Sequence, residues 1–220
     1  ITYEEVFSLD YAAGQFQVET AQGICQAPVT IIASGTLGST PDGIIPPRGL
    51  RERVLTEILP IKGETGQRVA IIGAGDLAFD YALNLGRSNT VLVLNRSQER
   101  KCLPLLWERA GRLPGIHYRE QTQLAGIQAG EAGGMSLLIT SPGGSQSITC
   151  DYLVYAIGRQ PNTSYISPHL LEMADDLERS GALYRIGDVK RGIYRQAAIA
   201  VGDGILAAMQ IIQNWEGKCA

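Results

Sequence analysis

The chain has 220 residues, 45% of them hydrophobic and 19% charged, enough for one large or two small domains with a real core. Nineteen basic against 22 acidic residues leave a net charge of −3, so no basic field invites nucleic acid or anionic lipid. The four cysteines (Cys25, Cys102, Cys150, Cys219) form no C-x-x-C pair. A zinc cluster, a disulfide framework and a dithiol redox centre are therefore not expected, and no apolar run approaches the ~18 residues that span a bilayer. The expectation is a soluble, cytosolic, glycine-rich α/β protein.

In chain order, Phe16-Gln17-Val18-Glu19-Thr20 alternates, turns at Gln22-Gly23 and leads to a buried strand over 29–35 that closes on Ala33-Ser34-Gly35. Pro46-Pro47 then punctuates the passage into a central domain. Val69-Ala70-Ile71-Ile72 is a short unbroken apolar run, as in a parallel strand covered on both faces. Gly73-Ala74-Gly75-Asp76-Leu77-Ala78 follows at once and fits G-x-G-x-x-A. Leu77, Tyr81 and Leu85 recur every four residues, with Ala78 and Ala82 beside them, so a helix is predicted from near Asp76 to Gly86. Thr90–Leu94 is the second strand, which completes a βαβ unit. Gly73 permits the tight turn, and Gly75 lets a pyrophosphate approach the backbone. Ala78 allows close helix packing, and the helix start supplies amides and positive dipole. A glycine turn with no ligand is the plainer alternative, disfavoured because the motif sits inside the complete unit.

The end of the second strand selects the dinucleotide: an acid suits NAD, a base the 2′-phosphate of NADP. Here the strand ends in Asn95-Arg96-Ser97, with Arg100 and Lys101 one turn on and only Glu99 nearby, which favours NADP(H) over NAD(H). Leu103-Pro104-Leu105-Leu106-Trp107 reads as a helix start packed on the sheet, and His117 and His169 as surface residues. Met135–Thr140 turns at Gly143-Gly144 and leads to Tyr152–Tyr155 and Ala156-Ile157-Gly158, so the hairpin and buried strand occur twice. Two related domains follow from that repeat. Gly73 lies about 85 residues before Gly158; the same interval counted back from Gly35 falls about 50 residues upstream of Ile1, where a first glycine loop is expected. Glu172–Glu178 reads as a solvated acidic face. Tyr184–Val189 is a strand closing on Gly187-Asp188. Tyr194-Arg195-Gln196-Ala197 then opens a glycine-interrupted apolar helix with Ile205, Ala208, Met209, Ile212 and Trp215. An aspartate there can accept hydrogen bonds from a polyol, and the helix start can stabilise negative charge on a ring. A strand, loop and core helix without a ligand stands beside that reading.

Together these segments resemble the two-domain flavoprotein oxidoreductases of the thioredoxin reductase type, including the thioredoxin-reductase-like ferredoxin–NADP reductases. Gly73–Ala78 is similar to the family's NADPH pyrophosphate loop, and Asn95-Arg96-Ser97 occupies the place of its 2′-phosphate clamp. Ala33-Ser34-Gly35 and Ala156-Ile157-Gly158-Arg159-Gln160-Pro161-Asn162-Thr163 look like its two crossover motifs. Gly187-Asp188-Val189 resembles its FAD motif, and Tyr194–Ala197 the stretch that contacts the flavin ring. The resemblance implies an α/β fold: a Rossmann-like, three-layer NAD(P)-binding domain over 48–160, inserted in a partial FAD-binding domain made of 1–47 and 161–220.

The implied activity is hydride transfer from NADPH to flavin and on to a small-molecule or small redox-protein acceptor, with no side chain named as catalytic. Two departures stand out. No cysteine lies between Cys25 and Cys102, so the family's redox pair near Thr56–Leu59 is absent and an internal disulfide is not the acceptor. The FAD pyrophosphate loop is also absent, so FAD binding by this chain is expected to be weak or lost. A homodimer is left open. A non-catalytic nucleotide-binding or interaction module is the competing reading, disfavoured because it has no need of Asp188 or Arg195-Gln196-Ala197.

Overall fold

The structure, a computed structural model, describes residues 3–130 and 133–219, with side chains as far as Asn214. Ile1 and the side chains of Trp215 and Cys219 lie outside the described residues. The chain forms two compact units, a central one over 38–159 and a flanking one made of 1–37 and 160–220.

The flanking unit opens with β1 (Val6–Ala12), β2 (Gln15–Thr20) and β3 (Gly23–Ala27), an antiparallel meander, followed by β4 (Thr30–Ile32). β5 (Thr36–Gly38) carries the chain into the central unit. There follow β6 (Val54–Leu55), β7 (Arg68–Ile72), α1 (Asp76–Leu85), β8 (Thr90–Leu94), α2 (Pro104–Gly111) and β9 (Ile116–Arg119). A second meander comes next, β10 (Gln123–Ala129), β11 (Met135–Ser141) and β12 (Gly144–Cys150), and then β13 (Tyr152–Tyr155). β14 (Arg159–Pro161) leads back to α3 (Pro168–Arg179), β15 (Leu183–Arg185) and α4 (Ala197–Cys219).

In the central unit five parallel strands lie in the order β6-β13-β7-β8-β9. Their apolar runs are unbroken because alternate residues serve opposite faces. Val69, Ile71, Val91, Val93 and Val154 pack on α1 and α2 through Ala78, Phe79, Ala82 and Ala110. Ala70, Leu94, Leu153 and Tyr155 pack on the second meander through Met135, Leu137 and Ile139. The result is three layers: helices, parallel sheet, antiparallel meander. Each fully buried Val, Leu or Ile there contributes roughly 1.5–3 kcal/mol of transfer free energy.

The flanking unit pairs β4 with β15 in parallel and packs α3 on the first meander around Leu9, Phe16, Leu170, Leu177 and Leu183. Ser167 fastens that packing. Its hydroxyl accepts the Leu170 N–H at 3.1 Å as an N-cap, and it donates to the Asp10 carboxylate at 2.5 Å. α4 differs: Ile205, Leu206, Met209 and Ile212 are exposed, and Asp203 and Ala207 are buried.

Two expectations need correction. The domain boundary falls at 37/38, ten residues before the 47/48 expected from Pro46-Pro47. Residues 38–47 belong to the central unit because Ser39 N–H donates to the Gly158 carbonyl at 2.9 Å and Ile44 packs against its meander-side core. The other correction concerns membranes. By length and composition alone α4 is apolar enough to cross one, with mean hydropathy 1.2 over Ala197–Asn214 and 11% of that stretch buried. Composition therefore does not exclude it: four isoleucines with Val201, Leu206 and Met209 outweigh Asp203, Gln210, Gln213 and Asn214 in the average.

Candidate functional site

In the central unit the glycine turn forms where β7 ends. Gly73 has φ +131°, and a Cβ there would lie 2.3 Å from the Ala156 carbonyl oxygen, so only glycine fits. Gly73 N–H donates to the Leu94 carbonyl at 3.0 Å and Ala156 N–H to the Ile72 carbonyl at 2.8 Å. The ends of β7, β8 and β13 thus meet at one point, which joins Gly73 to Ala156. Gly75 is the N-cap of α1 with an extended backbone, φ −90° and ψ −176°, that any residue can adopt. A Cβ there would meet no atom within 4 Å, so its glycine answers to open space in front of the turn. Ala78 is fully buried under the sheet and Leu77 half-buried, while Asp76 opens the helix.

The segment after β8 folds back over this turn. Lys101 N–H donates to the Ala74 carbonyl at 3.0 Å, and the Asp76 carboxylate accepts the Leu103 N–H at 2.7 Å. Arg100 stacks on the Trp107 ring, 4.0 Å from its centroid. Asn95 is buried and spent on the fold. Its amide donates to the Glu99 carbonyl and the Tyr118 hydroxyl, both at 2.9 Å, and its oxygen accepts from the Ser97 N–H and hydroxyl. Its side chain shapes the turn instead of reaching outward. Arg96 is exposed and makes no ion pair among the described residues. Ile157 and Gly158 are exposed at the end of β13, Gly158 with φ +129°.

In the flanking unit a cavity of about 360 Å³ is lined by Ala33, Gly35, Gly187, Asp188, Arg195, Gln196 and Ala197, with Ile186 and Ala200. Residues from the end of β4, the turn after β15 and the start of α4 therefore share one wall. Gly35 and Gly187 both take positive φ, +66° and +68°. A Cβ on Gly35 would meet nothing within 4 Å, so the strand end stands open to the cavity. Asp188 is half-buried. The Gln196 carbonyl accepts from Ile199 and Ala200, which sets the first turn of α4 against the cavity.

Glycine spacing alone misleads in one place. Gly202-Asp203-Gly204-Ile205-Leu206-Ala207 also fits G-x-G-x-x-A, yet it lies inside α4 and forms no turn. The missing preceding strand is the signal that separates it from Gly73–Ala78. Two of the thiols are poor nucleophiles: burial raises the Cys102 pKa and pushes that of Cys150 up to about 12.

Comparison with known proteins gives the family and the fold. The family model for pyridine nucleotide-disulphide oxidoreductases matches residues 1–204, and the chain belongs to that family. A thioredoxin reductase of Treponema pallidum is 26% identical over 222 residues, spanning 94% of this chain and 71% of the relative. One from Streptomyces clavuligerus is 27% identical over 65% of this chain and 48% of its own length. Among solved structures, thioredoxin reductase of Lactococcus lactis has a TM-score of 0.78 at 20% identity, covering 97% of this chain and 74% of that one. The bacillithiol disulfide reductase of Staphylococcus aureus has a TM-score of 0.68 at 18% identity, over 99% of this chain and 71% of its own. The fold is that of these enzymes. Relatives named for thioredoxin thus share a fold with one named for a low-molecular-weight disulfide.

Proposed function

We propose that the chain serves a flavin-dependent NAD(P)H oxidoreductase, with NADP(H) held by the central unit and FAD by the flanking unit. One observation carries the reading: a single cavity gathers Gly35, Asp188 and Arg195–Ala197 from three separate stretches of sequence. Its donor set suits FAD, because a carboxylate can accept from ribitol hydroxyls while the start of α4 offers amides to the ring. When bound, FAD supplies the two-electron chemistry, taking a hydride from NADPH. The chain's residues bind and orient. Gly73 and Gly75 let the pyrophosphate approach the amides of Asp76 and Leu77, and Arg96 meets the 2′-phosphate beside Ser97. Arg195 and Gln196 border the space for the flavin ring.

The acceptor is a small molecule or small redox protein. A paired-thiol relay of the family's kind is not available near the expected place, since the stretch 56–59 carries no cysteine and the sequence has no C-x-x-C. Calorimetric titration should show NADPH binding more tightly than NADH. Arg96→Ala should erase most of the difference, a loss of about 1.5–3 kcal/mol for a charge-assisted phosphate contact. Equal affinities in the unaltered chain would refute the NADP(H) preference.

A further inference from the structure

We infer that Asp203, a buried carboxylate in the middle of an apolar helix, is a positioning residue that locks the Gly187–Arg191 turn and thereby fixes where Asp188 stands. Asp203 is 8% exposed, the one buried charged side chain among the described residues. A carboxylate that water barely reaches needs its oxygens matched by donors. Here both are. Oδ2 accepts the Gly187 N–H at 3.0 Å and the Arg191 Nε–H at 2.8 Å, and Oδ1 accepts from the other arm of the same guanidinium. One side chain on α4 therefore grips both ends of a five-residue turn.

The turn needs that grip. Gly187 holds a left-handed conformation, φ +68°, and a Cβ on it would press on Ala200 at 3.3 Å, so backbone and helix are in close approach. Opposite, Glu178 of α3 accepts from Lys190 Nζ at 2.8 Å and from Arg185, holding the turn from its other side. Asp188 sits between the two clamps and lines the cavity. The division of labour is chemical: Asp203 and Glu178 take the cations and the amide, and Asp188 is left for a ligand. Gly202 and Gly204 flank Asp203, and a Cβ on either would meet no atom within 4 Å, so the glycines are not what brings the helix close. The contact is made by the carboxylate.

This role rests on the flavin reading of the cavity, and two readouts on the 220-residue chain separate them. Amide hydrogen exchange tests the lock without any ligand. Asp203→Ala should speed exchange at residues 187–191 by at least about tenfold while β1–β3 and α3 keep their rates. Titration with FAD at up to millimolar concentration, followed by flavin fluorescence, tests the consequence. Asp203→Ala should weaken binding by at least about tenfold, as Asp188→Ala does, and Arg191→Ala should shift both readouts in the same direction by less. Should Asp203→Ala not fold, Arg191→Ala carries the test, since it removes one end of the grip and leaves the Gly187 N–H to Asp203 hydrogen bond in place. Unchanged exchange at 187–191, or acceleration spread evenly over the flanking unit, overturns the lock. Weakening by Asp188→Ala but not by Asp203→Ala overturns the positioning role and leaves the flavin reading standing. Faster local exchange in a chain whose FAD affinity ignores Asp188→Ala sinks the flavin reading and with it the role, and a chain that takes up no FAD at millimolar concentration overturns the positioning role and leaves a purely structural clamp.

Discussion

The two units end a parallel strand in the same way, on a glycine with positive φ beside a candidate ligand site, but they are held together differently. The central unit buries its five-stranded sheet on both faces, with Ile71, Val91, Val93, Leu153 and Val154 each fully inaccessible. The flanking unit has one pair of parallel strands, a helix whose apolar residues are largely exposed, and ion pairs around its last turn. An exposed apolar stripe of this kind marks a surface built to be covered. Non-directional burial fastens the first site, and directional charge pairing the second. The first should be sensitive to shape and the second to charge.

The largest effect should come from Gly73, with Gly35 as its contrast. Gly73→Ala adds a methyl 2.3 Å from a backbone oxygen at φ +131°. Strain and overpacking together should cost about 4 kcal/mol, read as a lowered urea midpoint for amide signals of the central unit. Gly35→Ala meets open space at φ +66°, so only the left-handed penalty of about 1–2 kcal/mol should appear. Equal costs would show that the central turn relaxes, and that the contrast between the units is false.

Next come the apolar positions. Leu153→Ala, fully buried between the sheet and the second meander, should cost about 2–5 kcal/mol by urea denaturation. Met209→Ala, 64% exposed on α4, should change stability by less than about 0.5 kcal/mol. A large loss at Met209 would mean that this face of α4 is already covered in solution, most simply by self-association, which sedimentation would detect.

How much of this was legible in the sequence varies with the same contrast. The β7–α1–β8 unit was readable almost to the residue, because a two-sided buried strand, a glycine turn and an i, i+4 apolar pattern are all local signals. The strands β1 and β10 leave a weak trace in the sequence. Both carry a register shift, between Val6 and Ser8 and between Leu124 and Gly126, and a bulge breaks the alternation that marks a strand. The expected strand over 29–35 shrinks to Thr30–Ile32, since the chain leaves the sheet to reach Gly35. At the sites, the residues around the cavity were nameable from motif resemblance. Asn95 reads as a ligand contact in the sequence, whereas its four side-chain hydrogen bonds are internal, and Asp203 leaves no signal inside an apolar run. Polar side chains that organise a turn leave no periodic trace, because their partners are backbone groups and arginines far along the chain.

The smallest effect expected is on pH dependence, where the ionic fastening of the flanking unit should show. Hydrogen bonds and charge from Arg191, with the Gly187 amide, hold Asp203 at about 2. Burial alone would raise Glu178, but Arg185 and Lys190 outweigh it and hold it at about 2 as well. The Ser167 hydroxyl lowers Asp10. Each folded pKa lies below the unfolded value of about 4, so each carboxylate favours the folded state fully above about pH 5, and that contribution is lost as pH falls through 4 toward 2. The central unit has a counterpart in Asp151, lowered first by its hydrogen bond from Arg68, but that pair is open to water and worth at most about 1 kcal/mol. The urea midpoint of the flanking unit, followed through its own amide signals, should therefore fall between about pH 5 and 3 more than that of the central unit. Glu178→Gln should flatten the dependence by removing one titrating group, at the cost of lower stability at neutral pH. Parallel acid losses in both units would show that overall positive charge, and not the clamps on the Gly187–Arg191 turn, governs acid unfolding.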